Sequence, residues 1–181
     1  ADAAARFDRK RERRSRMTEA LGVVPKDTSP ETGVRDEDKV AEALADVVSD
    51  TYRLTIKTHA IHWNVEGPLF HAVHELTEEQ YEDMFEAVDD LAERVRALGR
   101  LTPMRFAGLL EASVVTDLEG TPSAGDMIEA LAEDHARVAK RMHALAELAG
   151  GQRDIVTEDL AVNRSAFHEK AAWMLRAIAK D

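Results

Sequence analysis

Residues 70–99, FHAVHELTEEQYEDMFEAVDDLAERVRALG, decide the fold. Phe70, Val73, Tyr81, Met84, Phe85, Val88, Leu91, Ala92, Val95 and Leu98 recur mostly at three- and four-residue steps, the period of one helix face, until Gly99 stops the run. Such a helix is about 30 residues, roughly 45 Å at 1.5 Å per residue. Upstream, Asp36 can cap a second long helix whose inward positions are Val40, Leu44, Val47, Val48, Thr51, Leu54 and Ile61 and which runs to about Asn64. Only the short break Glu66-Gly67-Pro68 separates the two, so they form an antiparallel hairpin. Downstream, Ser123 opens a third long helix with Ile128, Leu131, His135, Val138, Met142 and Leu145 on one face, ending at Gly150-Gly151. Asp154 opens a fourth, with Leu160, Phe167, Ala171, Met174, Leu175 and Ile178 on one side, which makes a second hairpin.

The two hairpins are joined by a stretch over residues 99–122 that contains Pro103, Gly108, Gly120 and Pro122 and has room for one short helix around Phe106 to Ala112. A connector of about 24 residues, at about 3.3 Å each, is long enough to carry the chain back along the bundle. A four-helix bundle with one long crossover is the ferritin-like arrangement; an up-and-down bundle would not need the crossover, and a merely long loop between the hairpins is the alternative. Composition agrees with an all-α chain: aromatic residues are 5% and charged residues 33%, and β-branched runs are scarce. The expected organisation is a basic N-terminal extension and linker over residues 1–35, with a short helix from Arg9 to Leu21, followed by the bundle over residues 36–181.

There is no cysteine, which leaves histidine and carboxylates as the only strong metal ligands. No apolar run approaches the roughly 18 residues of a membrane span, and the charged N-terminus has no apolar signal segment. A soluble cytoplasmic protein with no membrane partner is therefore expected. The net charge of −11 is unevenly spread. Residues 1–17 carry Arg6, Arg9, Lys10, Arg11, Arg13, Arg14 and Arg16 against Asp2, Asp8 and Glu12, seven positive and three negative charges, hence +4. Such a cluster can contact DNA by displacing its counterions, or can simply form a solvated helix.

His74 and Glu78 lie four residues apart on one face of the second long helix, as do Asp89 and Glu93. Imidazole plus carboxylate without sulfur suits a first-row metal with open positions, iron first among redox metals, while zinc and manganese accept the same donors. The alternative for either pair alone is a solvated helix surface. His74 and Asp89 are 15 residues apart, roughly 22 Å along the axis, too far to share an ion within one chain. Two copies packed antiparallel across a two-fold axis would bring the His74 end of one beside the Asp89 end of the other and create two equivalent sites. A centre inside a single bundle would instead use Glu-x-x-His elements, which this sequence lacks.

The stretch His62-Trp63-Asn64-Val65-x-Gly67-x-x-Phe70-x-x-Val73-His74, followed by Asp89-x-x-Ala92-Glu93-Arg94, strongly resembles the Dps family, the miniferritins named DNA-binding proteins from starved cells. Trp173-Met174-Leu175 is similar to the family's last helix, and the resemblance spans about residues 36–181. It implies a hollow homo-dodecamer with twelve ferroxidase sites at two-fold interfaces, two irons at each, where Fe(II) is oxidised preferentially by hydrogen peroxide and stored as ferric oxide. It further implies that His62 and His74 come from one subunit and Asp89 and Glu93 from its mate. Glu78 takes the place of a second-iron ligand that is aspartate in some members. The same resemblance suggests Trp63 as an electron donor or radical trap, and Asp154, Glu158 and Asp159 as an acidic iron-entry channel. Acids at a helix start also complement its dipole. His59, His71, His135, His143 and His168 are expected to be structural or solvated, with a supporting role beside the ligands as the alternative for His59. Two other functions compete: a DNA-compacting nucleoid protein acting through the Arg-rich tail, and a manganese or di-iron catalase relative, which the missing Glu-x-x-His disfavours.

Overall fold

The computed structural model describes residues 21–180. Nearly all of the expected Arg9–Leu21 helix and the whole set Arg6, Arg9, Lys10, Arg11, Arg13, Arg14 and Arg16 lie outside the described residues. Five helices follow: α1 (Glu37–Asn64), α2 (Phe70–Ala97), α3 (Phe106–Glu111), α4 (Ala124–Gly151) and α5 (Ile155–Ile178). All three expected N-caps form. Asp36 accepts from the Lys39 amide, Asp154 accepts from the Thr157 amide, and Ser123 and Asp126 close a reciprocal capping box. Each cap satisfies amide donors that the helix cannot. Among the described residues there is no strand, and no helix is long and apolar enough to cross a membrane.

The hairpins α1–α2 and α4–α5 are the most closely packed pairs, and α1 lies along α4, which gives the ferritin-like bundle. Its core is filled from α1 by Leu44, Leu54 and Ile61, from α2 by Met84, Leu91 and Leu98, and from α4 by Ile128, Leu131 and Met142. Helix α5 brings mainly Ala161, Ala171, Ala172 and Leu175 to the buried side, and such small residues allow a close approach to α4.

The crossover is held by polar side chains from one face of α1. Asp50 accepts from the Val114 amide at 2.7 Å, Arg53 donates to the Leu110 carbonyl at 3.1 Å, and Lys57 donates to the Thr116 carbonyl at 2.8 Å. The positions i, i+3 and i+7 share that face. Lys57 also pairs with the buried Asp134, and Arg141 reaches Asp50 at 3.2 Å. Burial pushes the Asp50 carboxyl above its ordinary value despite these donors.

Three expectations change. Helix α4 runs through Gly150 and Gly151 and turns at Arg153, whose φ of 63° carries the left-handed position. Gly150 faces the flexible end of the Glu158 side chain, which would lie 3.0 Å from a Cβ built there. The stretch expected as a linker is laid on the bundle: the Thr28 amide donates to the Gly99 carbonyl at 2.8 Å, Arg100 donates to the Thr28 carbonyl, and the Arg35 amide donates to the Gln152 carbonyl. Finally, Phe70 and Phe85, expected on the buried face of α2, are 44% and 63% exposed.

Candidate metal centre

His62 lies in the last turn of α1 and His74 in the second turn of α2, so the tight hairpin brings them together. Their rings stack, with centroids 3.7 Å apart and planes 17° from parallel. His62 Nδ1 lies 2.9 Å from the His74 carbonyl oxygen, and His74 Nδ1 lies 3.0 Å from the His62 carbonyl oxygen. A carbonyl can only accept, so both Nδ1 atoms carry the proton, and in the neutral rings both Nε2 atoms keep a free lone pair. This is the arrangement a metal-binding histidine requires, in which a backbone carbonyl fixes the tautomer and ring direction. Thr77, fully buried, donates to the Val73 carbonyl at 2.7 Å and lies 3.4 Å from His62 Nδ1, bracing the same corner.

Glu78, one turn beyond His74, is half-buried. Tyr81 follows it and meets the His62 ring edge-on at 5.3 Å. Partial burial first, then the Glu78 and Glu82 charges, hold the Tyr81 phenol above its ordinary value. His59 stacks on Tyr81 at 4.2 Å and on the Trp63 ring at 4.0 Å. Trp63 itself is 66% exposed. Sequence reasoning missed Tyr81, although its place seven residues after His74 puts it two turns along the same face.

Asp89 and Glu93 lie farther along α2 and are exposed. Neither has a hydrogen bond or ion pair among the described residues, and no group of three or more histidines and carboxylates there could hold an ion within one chain. The four residues therefore fall into two separate groups: a preorganised histidine pair near one end of α2 and an open carboxylate pair toward the other. Arg94, beside Glu93, faces inward. It donates to Asp154 at 2.7 Å and to the Thr157 hydroxyl at 2.9 Å, locking α2 to the start of α5.

Of the three acids at that start, Asp154 is buried and already committed to its cap and to Arg94. Burial alone would raise its carboxyl, but the Thr157 hydrogen bonds and Arg94 outweigh it and hold the group below its ordinary value. Glu158 rests on Gly150, while Asp159 is exposed and, among the described residues, accepts only from Asn163. Elsewhere, His135 and His168 form a fully buried pair between α4 and α5, with Nδ1 atoms 2.9 Å apart. His71 and His143 are exposed beside Glu75 and Glu169.

A four-helix bundle with one crossover and an imidazole–carboxylate face on its second helix is a protein of the ferritin-like class, and the ferritin-like domain family matches residues 41–181. The DNA protection during starvation protein 2 of Bacillus anthracis is 34% identical over 139 residues, 77% of this chain and 95% of that one. The crystal structure of Dps from Staphylococcus aureus superposes with a TM-score of 0.77 at 30% identity, covering 82% of this chain and 99% of that one. That of the Vibrio cholerae O1 Dps protein, a member of a broad superfamily of ferritin-like diiron-carboxylate proteins, gives 0.75 at 28% identity over 80% and 91%. Within the ferritin-like class, the chain belongs to the Dps family.

Proposed function

We propose that this protein is an iron-storing ferroxidase whose active sites are completed only by a second copy of the chain. The observation that carries the proposal is the reciprocal carbonyl clamp, which leaves the Nε2 atoms of His62 and His74 bare while supplying too few donors to hold an ion. Asp89 and Glu93 of a two-fold-related copy would complete the set, with Glu78 as a further carboxylate beside the histidines. Phe85 supports this pairing. It lies between the two half-sites on α2, and a large apolar side chain 63% exposed in one chain is what an interface covers.

Fe(II) is the substrate, and carboxylates at the shared site favour its ferric product electrostatically. Two Fe(II) supply the two electrons that convert hydrogen peroxide to water without releasing a hydroxyl radical. The product would be stored as ferric oxide in a hollow assembly of about twelve chains. Asp159 and Glu158 are the acids at the start of α5 still able to meet hydrated cations and serve iron entry, because Asp154 is committed to Arg94. Trp63 would supply electrons when iron is short. The setting is cytoplasmic. The +4 charge of residues 1–17 favours a second, compatible role in holding the assembly on DNA; deleting those residues should then abolish salt-sensitive DNA retention and leave ferroxidation in place.

The direct test is rapid mixing of Fe(II)-loaded assembled protein with peroxide. The proposal expects two Fe(II) consumed per peroxide and soluble ferric product inside the assembly. Oxidation no faster than in buffer would overturn it.

A further inference from the structure

We propose that the groove between α2 and α5 binds a small, neutral, single-ring molecule that presents an N–H beside a C=O, the cyclic amide edge of a pyrimidinone. This goes beyond ferroxidation and uses none of its residues. Helix α2 offers Leu76, Glu79, Gln80 and Asp83 to the groove. Helix α5 offers Phe167, Lys170, Ala171 and Met174. Both sets follow the steps i, i+3, i+4 and i+7, so each is one helix face. The two faces meet less closely than the helices within either hairpin, and a cavity of about 220 Å³ lies between them. At about 100° per residue, Gln80 projects about 140° away from Phe85. The groove is therefore turned away from the face assigned to the second copy.

Gln80 makes the cavity more than a packing gap. Its side chain is 3% exposed, yet neither Oε1 nor Nε2 has a hydrogen-bond partner among the described residues. A buried amide left without partners is costly, and this one lines a cavity. The amide carries an acceptor oxygen and, beside it, donor hydrogens. A ligand that satisfies both presents them in reverse, an N–H to Oε1 and a C=O to Nε2. The walls around that amide are apolar: Leu76 and Ala171 are buried, and Phe167 and Met174 are half-buried. Size narrows the class. An apolar cavity of about 150 Å³ takes benzene, whereas drug-sized ligands occupy about 300 Å³ or more, so the groove suits one ring with small substituents. Charge narrows it again. Asp83 is held by Arg164 at 2.7 Å, and Glu79 shares the mouth with Lys170, so positive and negative groups balance and a neutral ligand is favoured.

The test uses full-length, assembled protein without iron, and uracil as the probe. By equilibrium dialysis wild type should bind uracil saturably, one per chain. It should bind 1,3-dimethyluracil, which keeps the ring and loses both N–H groups, at least tenfold more weakly. Gln80→Leu should weaken uracil at least tenfold and bring the two probes to equal affinity. Ala171→Leu, which fills the groove from α5 and leaves Gln80 in place, should weaken both probes; it keeps the proposal falsifiable where Gln80→Leu fails to assemble. A crystal grown with uracil should show the ring in the groove with its N–H on Gln80 Oε1. No saturable binding, equal affinities of the two probes for wild type, or ordered water alone at Gln80 in that crystal would overturn the proposal. With no iron present, such a failure leaves the ferroxidase reading standing.

Discussion

The buried pair His135–His168 makes the bundle sensitive to mild acid by a calculable amount. Burial, and then the Arg164 guanidinium, push His135 down to about 3 from an ordinary 6.5, and His168 shifts the same way through burial, its neighbour His135 and Arg164. Both Nε2 atoms are buried without a partner, so a proton there would place a cation in an apolar core. Above pH 6.5 the rings are neutral in both folded and unfolded chains and contribute no pH dependence. As pH falls below 6.5 the unfolded chain takes up protons that the folded one refuses, and stability drops until the folded value is reached. At pH 5 the gap is 1.5 pH units, which costs about 2 kcal/mol for His135 alone, with His168 adding in the same direction. Denaturant unfolding of wild type and of the double variant His135→Gln/His168→Gln at pH 7 and pH 5 isolates this contribution, since surface carboxylates are common to both. Wild type should lose at least about 2 kcal/mol more than the variant between the two pH values. Equal losses would refute a neutral buried pair.

Arg94→Met keeps the apolar stem but leaves the Asp154 carboxylate, 1% exposed, without its cation; unfolding free energy should fall by about 3 kcal/mol, and adding Asp154→Asn should recover a good part of it. Gly99→Ala should loosen the strap, because φ is +81° and the new Cβ would lie 2.4 Å from the Thr28 carbonyl; faster tryptic cleavage at Lys26 and a stability loss of about 1–2 kcal/mol would register it.

How much of this was legible depended on the distance over which each signal acts. Asp36, Ser123 and Asp154 were readable because a cap is settled within four residues, and the crossover was readable because only a long connector joins two hairpins in this order. Phe85 was misread for a physical reason: apolar periodicity marks one helix face and does not say that the chain's own core covers every residue on it. Gly150 looked like a stop, but the helix continues through it and Gly151 and turns at Arg153. The strap depended on pairing Thr28 with Gly99, and the crossover latch on Asp50, Arg53 and Lys57 meeting backbone some 60 residues distant. Neither leaves a local pattern. In the candidate site, residue types and their separation along α2 could be read from the sequence. The carbonyl clamp could not, because it depends on the register that the 65–69 turn sets between α1 and α2.

The claim at the centre is that each site is assembled from two chains, and subunit mixing tests it most directly. One variant carries His62→Ala/His74→Ala and the other Asp89→Ala/Glu93→Ala. Each alone should assemble and lack ferroxidase activity. When the two are dissociated, mixed equally and reassembled, half the two-fold pairs are mixed, and each mixed pair holds one site with intact histidines facing intact carboxylates, so about a quarter of wild-type activity should return. No recovery in a properly reassembled mixture, or substantial activity in either variant alone, would contradict a site shared between chains.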